Sequence, residues 1–266
     1  MRKSTINSAR SIAPELRRPD EPTVEFVQAF VDSMPSHYRG YEPSTIKEHA
    51  VVAYTRGRRL VRARAWRRLA GGGVAICVVA ADRPGLLSLI AASLTSHDLD
   101  VIAAQVYTRK AADGSAEAVD LFWLRRRPLA RSHREITDDE IADVECLLAD
   151  LMAGDPLAGR LLERSMIEAP HAVPGMTQVR FEDDVDGAAV LVVQTFDRPG
   201  LLLTISRCLF CLDVQVIRSD VSTSQGRVFD RFCLIDFDGR SIAAERRSYI
   251  ESEILAAIEN LGRIAS

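Results

Sequence analysis

Several features that would mark large protein classes are missing from the chain. No run approaches the ~18 consecutive apolar residues of a membrane span, and residues 1–22, containing Arg, Ser and Pro, lack an apolar core of signal-peptide length. Neither insertion nor secretion is expected. One sign of charge does not dominate, with 34 Lys and Arg against 37 Asp and Glu for a net charge of -3. No chain-wide field therefore favours a polyanion, and general nucleic-acid binding is not expected. The histidines, His37, His49, His97, His133 and His171, show no ligand spacing, and His97-Asp98 stands alone, so no metal or other cofactor is expected. The cysteines, Cys77, Cys146, Cys208, Cys211 and Cys233, are odd in number and lie mostly in apolar runs, which suits buried thiols in a reducing, cytoplasmic compartment.

What the chain does contain is a repeat. Its 266 residues, 47% hydrophobic, are enough for two modest domains. Residues 74–109 lie over 189–224 without a gap at a constant shift of 115, so that Asp82-Arg83-Pro84-Gly85-Leu86-Leu87 coincides with Asp197-Arg198-Pro199-Gly200-Leu201-Leu202. After a turn five residues shorter in the second copy, residues 119–124 lie over 229–234. Duplication explains this better than chance.

Each copy changes pattern in the same order. A short β-branched run (74–80; 190–195) reads as a buried strand. The Asp-Arg-Pro-Gly that follows supplies a capping side chain, a fixed φ and a residue without Cβ clashes, which together turn a strand into a helix. Leucine and isoleucine then recur at 86, 90, 94 and at 201, 205, 209, the stripe of a helix lying on a sheet. Residues 101–108 and 118–124, like 216–223 and 228–235, read as a hairpin about a Gly-containing turn. A second helix is expected over 137–152 and 244–261. Residues 177–182 alternate and are expected to close the first unit, whereas the last strand of the second is expected to be missing.

The fold class expected is thus α+β, two tandem ferredoxin-like βαββαβ units preceded by a short helical segment. The corresponding division is a disordered tail at 1–21, a helical connector at 22–60, a first unit at 61–184 with an extra edge strand over 60–66, and a second unit at 185–266.

Two further motifs invite chemistry. Cys208-Leu209-Phe210-Cys211 is a Cys-x-x-Cys, but it falls late in its helix, where no helix dipole lowers a thiol pKa, so a structural role is expected. Seven arginines crowd residues 56–68 around Trp66, and their alternation suggests a solvated strand face. With Arg125, Arg126, Arg127, Arg131 and Arg134 they offer instead an alternative, a surface for an acidic partner.

Asp-Arg-Pro-Gly-Leu-Leu after a strand, followed by helix and hairpin, resembles the ACT family of small-molecule sensor domains. The paired copies, with Val119-Asp120-Leu121-Phe122-Trp123 and Gly226-Arg227-Val228-Phe229-Asp230, resemble more narrowly the C-terminal ACT pair of the bifunctional protein-PII uridylyltransferase/uridylyl-removing enzymes. Residues 26–38 and 46–49 are similar to the connector that precedes that pair. The chain shows no Gly-Ser loop with an Asp-x-Asp pair to hold Mg²⁺ and a nucleotide, so nucleotidyl transfer is not expected.

The resemblance implies a non-catalytic regulatory protein of nitrogen or amino-acid metabolism that binds a small amino acid, glutamine foremost, between its two modules. Asp82, Arg83, Pro84, Gly85, Leu86 and Leu87, and their counterparts Asp197, Arg198, Pro199, Gly200, Leu201 and Leu202, are the implied contacts, since a helix N-terminus suits an α-carboxylate. Asp98, Asp100, Asp213 and Gln215 would accept from the ligand's ammonium. The family usually carries Gly where Asp98 and Asp213 stand, and Asn where Asp100 and Gln215 stand. Two alternatives remain open. One is a ligand-free interaction module pairing with itself or another ACT protein; the other is a uridylyltransferase by inheritance that lacks its catalytic domains.

Overall fold

The computed structural model describes residues 21–127, 135–156, 158, 176–184 and 187–261. Residues 1–20 of the expected tail, together with His133, His171, Arg131 and Arg134, lie outside the described residues. None of the described helices is long and apolar enough to cross a membrane.

The first unit comprises β1 (Val61–Arg68), β2 (Val74–Ala81), α3 (Leu86–Ser96), β3 (Leu99–Lys110), β4 (Ala116–Arg126) and α4 (Asp138–Ala153), after a connector of α1 (Val24–Ser33) and α2 (Pro43–Arg56). The second comprises β5 (Gln178–Asp183), β6 (Ala189–Phe196), α5 (Leu201–Cys211), β7 (Val214–Ser224), β8 (Arg227–Asp236) and α6 (Ala244–Asn260). Local chemistry sets several boundaries. Thr23 accepts from the Phe26 amide to start α1, and Thr137 with Glu140 forms a capping box at α4.

All eight strands join one antiparallel sheet in the order β1-β2-β4-β3-β7-β8-β6-β5. Within each unit this is the ferredoxin-like arrangement. The fourth-strand place beside the first strand of the fold, however, is filled by the strand that precedes the unit. Residues 177–182 are therefore corrected: β5 pairs with β6, from Gln178 opposite Gln194 to Asp183 opposite Ala189, and forms the outer edge of the second unit. β1 is likewise no extra strand, since it holds the matching place beside β2.

Both outer edges are guarded from the helix layer. The Glu145 carboxylate of α4 accepts from the Ala63 amide, and Glu251 of α6 accepts from the Phe181 amide. These bonds use edge N–H groups that would otherwise be open to another strand. Arginines in the basic run also reach the α4 side: Arg62 pairs with the half-buried Glu145, and the exposed Arg68 pairs with Asp138 and donates to the Ile136 carbonyl. Only part of that run is a solvated face.

The four helices of the repeats share one side of the sheet, α3 packing on α5, over a core that includes Ile76, Leu94, Phe122, Ile205, Leu209 and Phe232. On the opposite side the connector covers the first unit alone. Phe30, Tyr38 and Ala50 pack there on Cys77, Val79, Tyr107 and Leu121. Coverage on both faces explains why β2 is buried along nearly its whole length rather than on alternate residues.

Candidate functional site

Each Asp-Arg-Pro-Gly forms a tight elbow from strand to helix. Gly85 and Gly200 sit at φ 80° and 79°, a conformation that costs other residues a Cβ clash, and each precedes the first turn of its helix. Because β3 pairs with β7 across the seam, the elbow of each unit faces the beginning of the second strand of the other.

Two recesses result. One joins Asp82, Arg83, Gly85, Leu86 and Leu87 to Ser206, Phe210, Val214, Gln215 and Val216. The other joins Asp197, Arg198, Gly200, Leu201 and Leu202 to Ala91, Thr95, Leu99, Asp100 and Val101. Every residue lining one recess is the repeat counterpart of a residue lining the other. Each has ≈ 20 Å³ of free space, room for about one water.

The symmetry ends at the side chains. In the first recess Phe210 lies on the elbow, where a Cβ added to Gly85 would meet its ring at 2.7 Å. Gln215 stands at the strand start, Thr108 donates to Asp82 at 2.9 Å, and Arg83 donates to the Met152 carbonyl at 2.7 Å. In the second recess Thr95 replaces the phenylalanine, and nothing lies within 4 Å of a Cβ on Gly200. Two carboxylates meet here. Arg125 donates to Asp100 from Nε and Nη2, at 3.0 and 2.7 Å, and also pairs with Asp197. Arg198 is buried, 7% exposed, and only its Nη2 is engaged, by Thr195 at 3.0 Å; Nε and Nη1 have no partner among the described residues.

Burial raises the Asp100 carboxyl above the ordinary carboxylate range, with the Arg125 bond opposing and the Asp197 charge adding to the rise. Burial also raises Asp82, which its bond from Thr108 opposes. Desolvation lowers Arg198, with Glu259 pulling the other way.

Of the residues implied in advance, both elbows together with Asp100 and Gln215 are gathered at the recesses, while Pro84 and Pro199 do not line them. Asp98 and Asp213 do not line them either. They occupy the left-handed region at φ 55° and 57°, making the turn between helix and second strand, and Asp98 faces Arg127 at 3.9 Å. Short polar side chains tolerate that conformation, which accounts for aspartate where glycine was expected.

Two residues escaped the sequence reading. Asp120 and Asp230, counterparts on β4 and β8, form part of the recess walls and are each 1% exposed. Burial holds both carboxyls well above the usual range, with Asp82 adding to the shift at Asp120 and Asp197 to that at Asp230. The signal was present: both fall on the inward phase of an alternating apolar strand, at the same place in each repeat.

Cys208 and Cys211 of the Cys-x-x-Cys are free thiols, and burial pushes Cys208 up to about 11, opposite to the shift of a redox nucleophile.

The fold and its paired elbows define a tandem ferredoxin-like protein, two repeats joined edge to edge through one sheet. The chain is similar to the bifunctional uridylyltransferase/uridylyl-removing enzyme of Novosphingobium aromaticivorans, 30% identical over 198 residues covering 72% of this chain and 21% of the relative. It is similar to the same enzyme of Phenylobacterium zucineum, 25% identical over 224 residues, 78% of this chain and 23% of the relative. That of Rhodospirillum rubrum is 28% identical over 193 residues, 69% and 20% respectively. The chain thus spans about a fifth of the length of these relatives. No family model matches it, and no solved structure matches it.

Proposed function

We propose that the chain is a non-catalytic, cytoplasmic regulatory unit that binds a small amino acid, glutamine foremost, at the seam between its repeats, in nitrogen or amino-acid metabolism. One observation carries the reading. At the second elbow an open glycine, a buried guanidinium with two unengaged nitrogens and a pair of carboxylates converge on one recess. A zwitterion needs that set of partners, with its carboxylate on Arg198 and the first amides of α5, and its ammonium on Asp100 and Asp197.

Arg125 occupies those carboxylates. Its side chain is 40% exposed, so it can turn to water as a ligand's ammonium takes its place. The first recess, stopped by Phe210, is the weaker candidate, and of the two elbows one is expected to be occupied.

A thermal-shift panel of the common amino acids at millimolar concentration tests this, since a ligand of the native state stabilises it by RT ln(1 + [L]/Kd). A rise with glutamine, abolished by Thr95→Phe, is expected; the phenylalanine at the counterpart position shows that the backbone accommodates it. A melting temperature unmoved by the whole panel would reject the reading.

The small size of both recesses favours a second reading, a ligand-independent module that pairs with itself or with another protein. Light scattering with and without glutamine separates the two, because only the first makes assembly or stability depend on the amino acid. Incubation with PII protein and UTP is expected to yield no uridylylated product.

A further inference from the structure

A larger recess lies on the opposite side of the sheet, where the connector stops. It encloses ≈ 310 Å³, at the lower end of the range of small-molecule sites. Three parts of the chain build it: His37 of the connector, Gln105 and Tyr107 of β3, and Arg218, Asp220 and Arg231 of the second unit.

The polar groups there are not exhausted by one another. Gln105 Oε1 accepts from the hydroxyls of Tyr41 and Tyr107, which orients its amide nitrogen as a donor with no partner among the described residues. Asp220 stands opposite Gln105 in the β3–β7 pair and makes no side-chain hydrogen bond or ion pair among the described residues. Arg218 and Arg231 are held in place by Asp184 and Glu182. A guanidinium has five N–H donors, so each keeps some for a further acceptor. The His37 ring stacks on Tyr107 with centroids 5.2 Å apart and closes one side.

We infer that this recess is a second small-molecule site, distinct from the elbows, that takes a dicarboxylic amino acid. The two guanidinium groups and the Gln105 amide receive the carboxylates, and Asp220 receives the ammonium. The chemistry follows from the donor set: each guanidinium, paired on one side with Asp184 or Glu182, offers its remaining N–H groups to a carboxylate, and the Asp220 carboxylate beside them takes a cationic group. Since His37 belongs to the connector, an occupied site ties the connector to the second unit, which it otherwise leaves uncovered. The inference stands apart from ligand binding at the elbows, because no residue is shared between the sites.

Titration of the full chain with L-glutamate and L-aspartate, followed by NMR, tests it. Saturable shifts of the His37 ring and Gln105 side-chain amide signals are expected, with the Gly200–Leu203 amides unmoved. Asp220→Asn is expected to weaken glutamate about tenfold or more while leaving the melting temperature unchanged. Glutarate, which lacks the ammonium, is expected to bind wild type and variant alike. The inference is overturned if no saturable shift occurs up to about 10 mM. It is also overturned if the shifts fall on the elbow amides, or if the variant binds glutamate as wild type does.

Discussion

Gln105 lies directly opposite Asp220 in the pair of strands that joins the two units, and these residues are each other's counterparts in the 115-residue repeat. The pseudo-twofold axis of the molecule therefore passes through this pair. Each element of one repeat has its partner in the other, the connector alone being unmatched, and for this reason a duplicated elbow generates two equivalent recesses rather than one.

A sheet continuous across that axis, with α3 packed on α5, couples the units. Chemical denaturation is expected to show a single transition, followed equally by fluorescence and far-UV circular dichroism. Ala104, buried opposite Val221 at the seam, is the sensitive point. Ala104→Asp is expected to cost at least ~3 kcal/mol by burying an unpaired carboxylate. Two resolved transitions in wild type would contradict the coupling.

The two elbow glycines are expected to differ in their tolerance of alanine. In both, a side chain at left-handed φ costs about 1–2 kcal/mol. Only Gly85→Ala must also displace the Phe210 ring, adding about 1–3 kcal/mol of overpacking. Urea denaturation should thus rank Gly85→Ala below Gly200→Ala, and Phe210→Ala should bring the two together. Equal losses in the single variants would show that Phe210 does not close the first elbow.

His49 introduces a pH dependence of definite sign. It is fully buried between the connector and the sheet, bonded at Nδ1 to the Tyr38 hydroxyl at 2.8 Å and ringed by Tyr38, Tyr41 and Trp66. Burial lowers its pKa from the ordinary 6.5 to about 4. The unfolded chain then binds more protons than the folded one between those values. This contribution to stability is complete above pH 6.5, declines as the pH falls, and levels off below about 4 after a loss of up to ~3 kcal/mol. His49→Gln should flatten that part of the stability profile. Identical slopes in wild type and variant would show that the imidazole is solvated.

Asp120 and Asp230 act in the reverse direction. Their folded pKa values are raised, so their ionisation penalises the fold increasingly as pH rises above the unfolded value near 3.8. Asp120→Asn is expected to stabilise the chain by about 1–3 kcal/mol at pH 7, and the gain should shrink on acidification. Destabilisation at pH 7 would mean that the charged form is needed in the recess.

Much of this molecule was legible from local pattern. The Asp-Arg-Pro-Gly elbows, the helix stripes from Leu86 and Leu201, and the hairpins about Gly114 and Gly226 follow from turn sterics and side-chain period, which neighbouring residues settle among themselves. The alternation over residues 177–182 likewise announced a strand. It did not announce a neighbour, and β5 joined the unit that follows it because pairing depends on which edge lies within reach. Asp120 and Asp230 were visible as matched aspartates, but their burial was not, since alternation gives a face without saying what covers it.

The sequence alone determined that two like units exist, where each turns, and which residues form the elbows, because steric limits and apolar period act over a few residues. Tertiary structure alone decided that the elbows face each other's second strands, that Phe210 closes one and Arg125 bridges the carboxylates of the other, and that the connector stops beside a 310 Å³ recess. Those outcomes rest on contacts between residues far apart in the chain, and the free space left after packing is a property of the whole arrangement.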